Sequence, residues 1–194
     1  MRRIIMFNRV SADGYFAAAD GNLNWTIPEP ELDQMAARAS QGVGTLLFGR
    51  KTYQMFERFW PTAVDQDPHH AGRQSPELHA MGVWINAAAK WVFSTTLQKV
   101  TWQNSHLRHE IDRREIESLK QQPGSDILIF GSGSLVSQLT ERGLIDEYHF
   151  VVGPLLLGGG RPVISGVPNI AQLRLLEAKP FPQGNVMLRY ARKG

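Results

Sequence analysis

The chain has 194 residues, a length that suits one domain of good size, and its 42% hydrophobic and 20% charged residues are ordinary for a soluble globular protein. The net charge of +3 is a mild basic excess, without the concentrated Lys/Arg stripe of a nucleic-acid-binding protein. Cysteine is absent from the sequence, which excludes disulfides, thiolate metal sites and a cysteine nucleophile. No apolar run approaches the roughly 18 residues of a membrane span, so we expect a cytoplasmic protein that binds neither membrane nor nucleic acid.

The first half of the chain alternates strand and helix patterns. Residues 3–10 form a strand pattern that ends at the turn signal "SADG". Apolar residues at helical spacing predict a helix over 31–39, a buried strand follows in "VGTLLFG", and "KTYQMFERFW" predicts a second helix. Residues 61–76 then form a polar, proline-containing segment that is long for a connection, as lids and binding loops often are.

The second half continues this alternation before it ends in two strand patterns. In chain order it predicts a helix over 77–86, strands in "KWVFSTT" and "VTWQNS", a helix over 111–120, a strand in "DILIF", a helix after "GSGS", a strand in "LIDEYHFVVGP", and a hairpin formed by "AQLRLLEA" and "NVMLRYAR". The pattern predicts an α/β fold with a mostly parallel sheet and a C-terminal antiparallel hairpin. No composition break marks a boundary, so we expect a single domain over residues 1–194.

The stretch "LLFGRKTYQMF" places two cations at a strand-to-helix turn. Gly49 allows a ligand to approach the backbone, and Arg50 and Lys51 fall in the first helical turn, where the helix dipole favours acidic residues instead. A bound anion would supply the missing negative charge. The alternative is that both cations are solvated surface residues.

A second strand-to-helix turn, "GSGS", has a similar character. Gly131, Ser132, Gly133 and Ser134 follow the strand "DILIF", and glycines and serines at such a turn present N–H and O–H donors to phosphate oxygens. Val136 stands where a full dinucleotide fingerprint has its third glycine. The alternative is a tight turn in which a serine caps the helix.

A third group of donors, Ser94, Thr95 and Thr96, closes the strand "WVFSTT". Open α/β sheets bind ligands at the carboxyl ends of their strands, where these hydroxyls would lie. Simple turn residues would explain this segment equally well. Three anion-friendly strand ends in one chain together indicate a phosphate-rich nucleotide.

Five segments taken in order resemble the dihydrofolate reductase-like fold, and are most similar to the branch that includes the reductase domain of the bifunctional riboflavin-biosynthesis deaminase/reductase. They are "SADGYFA", "LFGRKTYQMF", "WVFSTTL", "DILIFGSGSLVSQL" and "LIDEYHFVVGPLLLGGGRPVI". The resemblance covers roughly residues 3–164. It implies a three-layer sandwich with helices on both faces of the central sheet.

The resemblance also implies an NADPH-dependent reductase that transfers hydride to a small pterin-, pyrimidine- or flavin-like substrate. By resemblance, Gly49, Arg50, Lys51 and Thr52 hold cofactor phosphates, Ser94 and Thr95 lie near the adenosine 2′-phosphate, and Gly131, Ser132, Gly133 and Ser134 face the pyrophosphate. Gly159 belongs to a glycine run, followed by Arg161, that matches the riboflavin branch and is expected at the cofactor. Members of this branch are commonly homodimers, so a homodimer is expected here.

Acidic residues on the substrate side are the candidates for catalysis. "NWTIPEPEL" is similar to a family segment in which a carboxylate after the proline meets a pterin ring, but here Pro30 occupies that place and Glu29 and Glu31 flank it. Asp13 lies at the end of the first strand. We take Asp13 and Glu31 as catalytic candidates, with Glu29 or ordered water as other proton sources. As alternatives, Asp13 forms a turn and Glu31 favours a helix start.

No metal site is expected. His69, His70 and His79 lie in or near the 61–76 segment, but their spacing matches no metal-binding motif. Besides the reductase, the sequence leaves open a nucleotide-binding module without turnover that acts as an NADP(H) sensor or partner protein.

Overall fold

The protein is seen here in a computed structural model, which describes residues 1–40, 43–63 and 76–193. The described residues form strands and helices in the following chain order: β1 (Ile4–Ser11), β2 (Tyr15–Ala17), α1 (Pro30–Ser40), β3 (Val43–Gly49), α2 (Arg50–Ala63), α3 (Pro76–Ala87), β4 (Ala89–Phe93), β5 (Ser105–Arg108), α4 (Arg113–Gln121), β6 (Asp126–Phe130), α5 (Gly133–Glu141), β7 (Glu147–Gly153), β8 (Arg161–Pro162), β9 (Leu173–Pro180) and β10 (Val186–Arg192).

Eight strands form one sheet in the order β5-β4-β3-β6-β1-β7-β10-β9. The strands from β5 to β7 are parallel, and β10 runs antiparallel to both β7 and β9. The predicted α/β fold with its C-terminal hairpin is therefore confirmed. A separate two-stranded ribbon pairs β2 with β8, strands too short for the sequence to predict.

Helices cover both faces of the sheet because successive side chains of its central strands point to opposite faces. In β3, Leu46 and Phe48 pack with α2 and α3, whereas Leu47 packs with α4 and α5 on the other face. All three side chains are fully buried. Helix α1 covers the hairpin side of the first face, where Leu32 meets Val151 and Met187. No helix among the described residues is long and apolar enough to cross a membrane.

Two predicted boundaries differ from the structure. Helix α2 continues through Ala63 with Pro61 inside it, rather than ending at the proline, and residues 64–75 of the predicted long loop lie outside the described residues. The strand predicted in "VTWQNS" is wrong, because the strand begins only at Ser105. The backbone N–H of Trp102 donates to the Tyr53 hydroxyl of α2, and Asn104 adopts a positive φ of 59° that ends any extended run.

The strand register brings the predicted turns to one edge of the sheet. Gly49 at the end of β3 lies beside Phe93 at the end of β4, and Phe130 at the end of β6 lies beside Phe7 of β1. The residues that follow these strands therefore meet at the carboxyl edge of a parallel sheet, where such folds bind their ligands.

Candidate active site

A cleft of about 1180 Å³ lies at the carboxyl edge of the parallel strands. Small-molecule sites typically measure about 300–1,000 Å³, so this cleft has room for a large ligand or for two. Ten of the residues singled out in the sequence line it, namely Gly49, Arg50, Lys51, Thr52, Ser94, Thr95, Gly131, Ser132, Gly133 and Ser134.

The two strand-to-helix turns are joined by the side chain of Ser132. Its hydroxyl accepts a hydrogen bond from the Gly49 amide at 2.8 Å and donates to the Thr52 hydroxyl at 2.9 Å. A Cβ on Gly49 would lie 2.7 Å from this hydroxyl oxygen, and one on Gly131 would lie 3.0 Å from the Thr52 hydroxyl. Glycine is therefore required at both turns by their mutual packing, a reason that local sequence could not reveal.

The first turn of α5 is not capped by a side chain. Ser132 precedes the helix in a left-handed conformation, with φ of 59°, and makes no side-chain cap hydrogen bond. The serine cap that offered the alternative explanation of this turn does not form. The N–H groups of a helix start carry partial positive charge, so this turn can accept an anion.

The hydroxyl of Ser94 shapes the turn after β4. It accepts hydrogen bonds from the amides of Thr96 at 3.2 Å and Leu97 at 3.0 Å, and the Ser94 carbonyl lies 2.9 Å from Nδ1 of His109. Thr95 is exposed at the cleft wall. Ser94 therefore supports this edge of the cleft, while the hydroxyl of Thr95 points to no hydrogen-bond partner in the described part of the chain.

Basic residues outnumber acidic residues on the cleft wall. Arg9, Arg50, Lys51 and Arg161 line it, against Glu110 and Glu141. Arg9 forms an ion pair with Asp33 at 3.0 Å. The other three cations have no carboxylate within 4.0 Å among the described residues. Unpaired cations that share a cleft favour a ligand with more than one negative group.

Aromatic side chains form another part of the wall. Phe130 lies 6.1 Å from Phe7 in an edge-to-face arrangement and 5.4 Å from Phe56, measured between ring centroids. Arg9 reaches this region from β1, and its guanidinium also donates to the Ile27 carbonyl at 2.9 Å. Flat apolar walls with one fixed cation suit a planar ring that carries polar groups at its edge.

Asp13 lies outside the residues that line the cleft. Its carboxylate accepts hydrogen bonds from the Ser11 hydroxyl at 2.6 Å and from the amides of Leu157 at 3.1 Å and Gly158 at 2.8 Å. These bonds, that from Ser11 first, lower the pKa of Asp13 below its ordinary value. The carboxylate is thus ionised near neutral pH and holds the loop that leads to β8.

The other acidic candidates are also engaged elsewhere. Glu31 forms an exposed ion pair with Lys179 at 2.6 Å, and Glu29 is buried and accepts a hydrogen bond from the Gln183 amide at 3.0 Å. Neither residue is among the described residues that line the cleft. Gly159 is also absent from that lining, and a Cβ added to it would meet no atom within 4 Å beyond its chain neighbours among the described residues.

Sequence reasoning missed the cleft residues whose role depends on long-range packing. Phe7 and Arg9 are two positions apart in β1 and therefore lie on the same face of the strand. The sequence pattern predicted the strand, but it did not indicate which side chains would face a cavity. Arg161 was named only through the family resemblance, because it reaches the cleft through the pairing of β8 with β2, in which Arg161 lies opposite Ala17, and nothing local indicates that pairing.

No group of three or more potential metal ligands occurs in residues 1–40, 43–63 and 76–193. His69 and His70, which the sequence analysis weighed as metal ligands, lie outside the described residues.

Comparison with known proteins gives one family match. The model of the RibD C-terminal domain matches residues 2–187. The uncharacterized protein YwjB of Bacillus subtilis (strain 168) is 30% identical over 194 residues, which cover 98% of each chain.

Solved structures share the fold. A protein from Shewanella sp. PV-4 assigned to riboflavin biosynthesis superposes with a TM-score of 0.74 at 22% identity, over 99% of both chains. A dihydrofolate reductase from Enterococcus faecalis, complexed with NADP(H), superposes with a TM-score of 0.64 at 12% identity, over 99% of this chain and 97% of its own. Similarity at these identities establishes the shared fold alone.

Proposed function

The chain belongs to the RibD C-terminal domain family, and we propose that it is an NADPH-dependent reductase of a small heterocyclic substrate. The observation that supports this most is the union of three donor-rich strand ends in a single cleft, with Ser132 joining two of them. Bound NADPH would supply the hydride, and the protein would supply binding, orientation and the electrostatic environment.

The phosphate groups of the cofactor fit the unpaired donors of the cleft. We assign the adenosine 2′-phosphate to Arg50, Lys51 and Thr95. Arg50 directly follows β3 and Ser94 directly follows β4, and these two strands are neighbours in the sheet, so the two turns lie side by side. A guanidinium can bind a phosphate through two parallel N–H bonds, and the 2′-phosphate distinguishes NADPH from NADH. Gly49 and Thr52 support this turn through their contacts with Ser132.

The pyrophosphate fits the start of α5, where Gly131, Ser132, Gly133 and Ser134 leave the helix without a side-chain cap. The aromatic wall of Phe7, Phe56 and Phe130 then remains for the nicotinamide and for a planar substrate ring. Pterin-, pyrimidine- and flavin-like rings share this shape. Arg9 would bind an oxygen at the ring edge.

Water is the proton source that we favour. Asp13, Glu29 and Glu31 each use their carboxylate oxygens in other contacts, and the pKa of Asp13 is lowered, which opposes proton donation. We therefore assign Asp13 a positioning role in the loop before β8. Glu31 can donate a proton to a substrate only after its ion pair with Lys179 opens. Its catalytic role stays a prediction, and so does the cofactor contact of Gly159.

The nucleotide assignment is tested with Arg50→Ala, and Arg58→Ala on the exposed side of α2 serves as the matched control. We expect Arg50→Ala to raise the Kd for NADPH about 10- to 100-fold, because charge-assisted hydrogen bonds contribute about 1.5–3 kcal/mol. The Kd for NADH should change by less than about threefold. Fluorescence titration measures both, and an unchanged NADPH affinity would refute the assignment of this turn.

The alternative is a protein that binds NADP(H) without turnover, as a sensor or partner protein. It is favoured by one observation, that the carboxylates predicted as proton donors lie outside the cleft lining formed by the described residues. NADPH oxidation at 340 nm with a panel of pterins, pyrimidines and flavins separates the two. Steady turnover with any of them supports the reductase, whereas tight cofactor binding without turnover supports the sensor.

A further inference from the structure

A row of five side chains crosses one face of the sheet, from the cleft to the edge strand β9. Each member lies directly opposite the next in the strand register, and the members are Phe130 of β6, Phe7 of β1, His149 of β7, Arg189 of β10 and Glu177 of β9. Directly opposed residues point to the same face of a sheet, so these side chains are lateral neighbours. The row begins in the aromatic wall of the cleft and becomes charged where it reaches the C-terminal hairpin.

The imidazole of His149 has two neighbours that compete for one of its nitrogens. Its Nε2 lies 2.8 Å from a carboxylate oxygen of Glu147 and 3.3 Å from Nε of Arg189. An imidazole nitrogen donates a hydrogen bond when it carries hydrogen and accepts one when it does not, so Nε2 serves only one of these partners at a time. The side chains of His149 and Glu147 are 14% and 8% exposed, so water has little access to replace the lost partner.

Further ion pairs hold both competing partners in place. The other carboxylate oxygen of Glu147 accepts from Arg3 of β1 at 2.5 Å, and Arg3 also pairs with Asp126 of β6 at 2.5 Å. Arg189 donates to Glu177 through Nη1 at 2.9 Å, and its Nη2 lies 3.4 Å from Glu147. Neither partner can therefore move away from His149 without breaking other contacts.

The titration of His149 is governed by burial and by these neighbouring charges. Burial is the largest influence and lowers the pKa of His149 below its ordinary value of 6.5; Glu147 opposes this, whereas Arg189 and Arg3 act in the same direction as burial. Helix α1 packs farther along the same face, and its charged residues are exposed: Glu31 and Asp33, which pair with Lys179 and Arg9, and Arg38. Near neutral pH the imidazole is therefore uncharged.

The uncharged imidazole satisfies both arginines when Nε2 is the nitrogen without hydrogen. Nε of Arg189 then has an acceptor, and Glu147 still accepts from Arg3. An imidazolium carries hydrogen on Nε2, so it donates to Glu147, and Nε of Arg189 loses its acceptor and faces a second positive charge.

We propose that His149 is a pH-sensitive switch between β7 and β10: its Nε2 accepts a hydrogen bond from Arg189 in neutral solution, and in acid it donates to Glu147 and releases Arg189. Release of Arg189 weakens the attachment of the C-terminal hairpin to the central sheet. The switch goes beyond the proposed function and does not depend on it, since it involves neither cofactor nor substrate.

The test is nuclear magnetic resonance of the imidazole nitrogens in the full-length chain from pH 7.5 to 5, with the His149 signals assigned through their contact with the Phe7 ring. At pH 7.5 we expect hydrogen on Nδ1 and none on Nε2. Arg189→Gln should raise the pKa of His149, because it removes a positive neighbour and the competing donor, and Glu147→Gln should lower it. Arg174→Gln, an exposed position on the same hairpin, is the control and should leave it unchanged.

Stability supplies an independent measurement. Below pH 6.5 the unfolded chain binds more protons at His149 than the folded chain does, so the folded state loses stability as the pH falls. In urea, the unfolding equilibrium constant of wild type should rise relative to that of His149→Gln between pH 7.5 and 5. The rise should reach about tenfold for each unit by which the pKa is lowered.

Three results would overturn the switch. The first is hydrogen on Nε2 of wild-type His149 at pH 7.5, a measurement that requires no variant to fold. The second is equal titration of His149 in Arg189→Gln and Arg174→Gln, and the third is a parallel pH dependence of stability in wild type and His149→Gln. Opposite pKa shifts in Arg189→Gln and Glu147→Gln support the switch, because a residue that merely fills space would show neither.

Discussion

A single hydroxyl, that of Ser132, joins two turns that lie 83 residues apart in the chain. The residue adopts a left-handed conformation that costs free energy for any side chain, and two hydrogen bonds to Gly49 and Thr52 offset that cost. Glycine at position 49 follows from this contact, since a methyl group there would meet the hydroxyl at 2.7 Å.

This contact predicts strong coupling between positions 49 and 132. Gly49→Ala should lower the free energy of unfolding by about 1–3 kcal/mol in the wild-type chain, because it overpacks the turn. In a Ser132→Gly background the same change should cost less than about 0.5 kcal/mol, since the obstructing hydroxyl is gone. Urea denaturation of the four proteins gives the coupling energy, and additive effects would show that the two residues do not touch.

Lys90 is another residue whose environment the sequence does not disclose. Its ammonium group is fully buried at the start of β4, donates to the carbonyls of Asn86 at 3.0 Å, Ala88 at 2.8 Å and Gln103 at 3.2 Å, and lies 4.4 Å from the Trp102 ring centroid. Carbonyl dipoles alone do not replace the lost hydration. Burial therefore lowers its pKa from 10.5 to about 8.

The lowered pKa of Lys90 predicts a rise of stability in alkaline solution. Between pH 8 and 10.5 the unfolded chain binds more protons at this residue than the folded chain does, so the free energy of unfolding increases with pH. Each unit of pKa difference corresponds to about 1.4 kcal/mol. Urea denaturation from pH 7.5 to 10.5 gives the free energy of unfolding of wild type and of Lys90→Met. The difference between the two free energies should increase with pH. Parallel curves for the two proteins would contradict it.

At the scale of elements, the sequence predicted strands and helices well where apolar periodicity is strong. Strand β6 was placed at its observed bounds, and the β9–β10 hairpin follows from alternating residues around "KPFPQG". The strand predicted in "VTWQNS" was wrong because Tyr53 of α2 provides hydrogen-bond partners that a local pattern cannot show. The contacts of Asp13 with Gly158 and of Ala17 with Arg161 also join residues that are distant in the chain, so a local pattern could not predict them either.

Strand β9 carries exposed apolar residues at the edge of the sheet. Leu175 is 52% exposed and Leu176 is 39% exposed, whereas edge strands of monomers usually carry charges instead. We predict that this edge contributes to the homodimer expected from the resemblance. Light scattering should then give twice the 21.8 kDa of the chain, and Leu175→Arg should reduce it towards the mass of one chain. A monomeric wild type would refute the homodimer.

For the whole molecule, the sheet topology explains why distant motifs act together. Strand β6 lies between β3 and β1, so the end of β6 and the turn after it have the turn after β3 on one side and Phe7 of β1 on the other. The sequence predicted donor groups that line the cleft, because glycines, hydroxyls and cations at strand ends are local signals. It could not predict the cavity walls or the positions of the carboxylates, which the packing of α1, the ribbon and the hairpin determines.

The measurement that tests the central claim most directly is a crystal structure of the protein grown with NADP⁺. We predict density for the dinucleotide along the cleft, with the 2′-phosphate at Arg50 and Thr95, the pyrophosphate at the start of α5, and the nicotinamide against Phe7 and Phe130. A cleft that remains empty at saturating NADP⁺, or a dinucleotide bound elsewhere on the chain, would contradict the account.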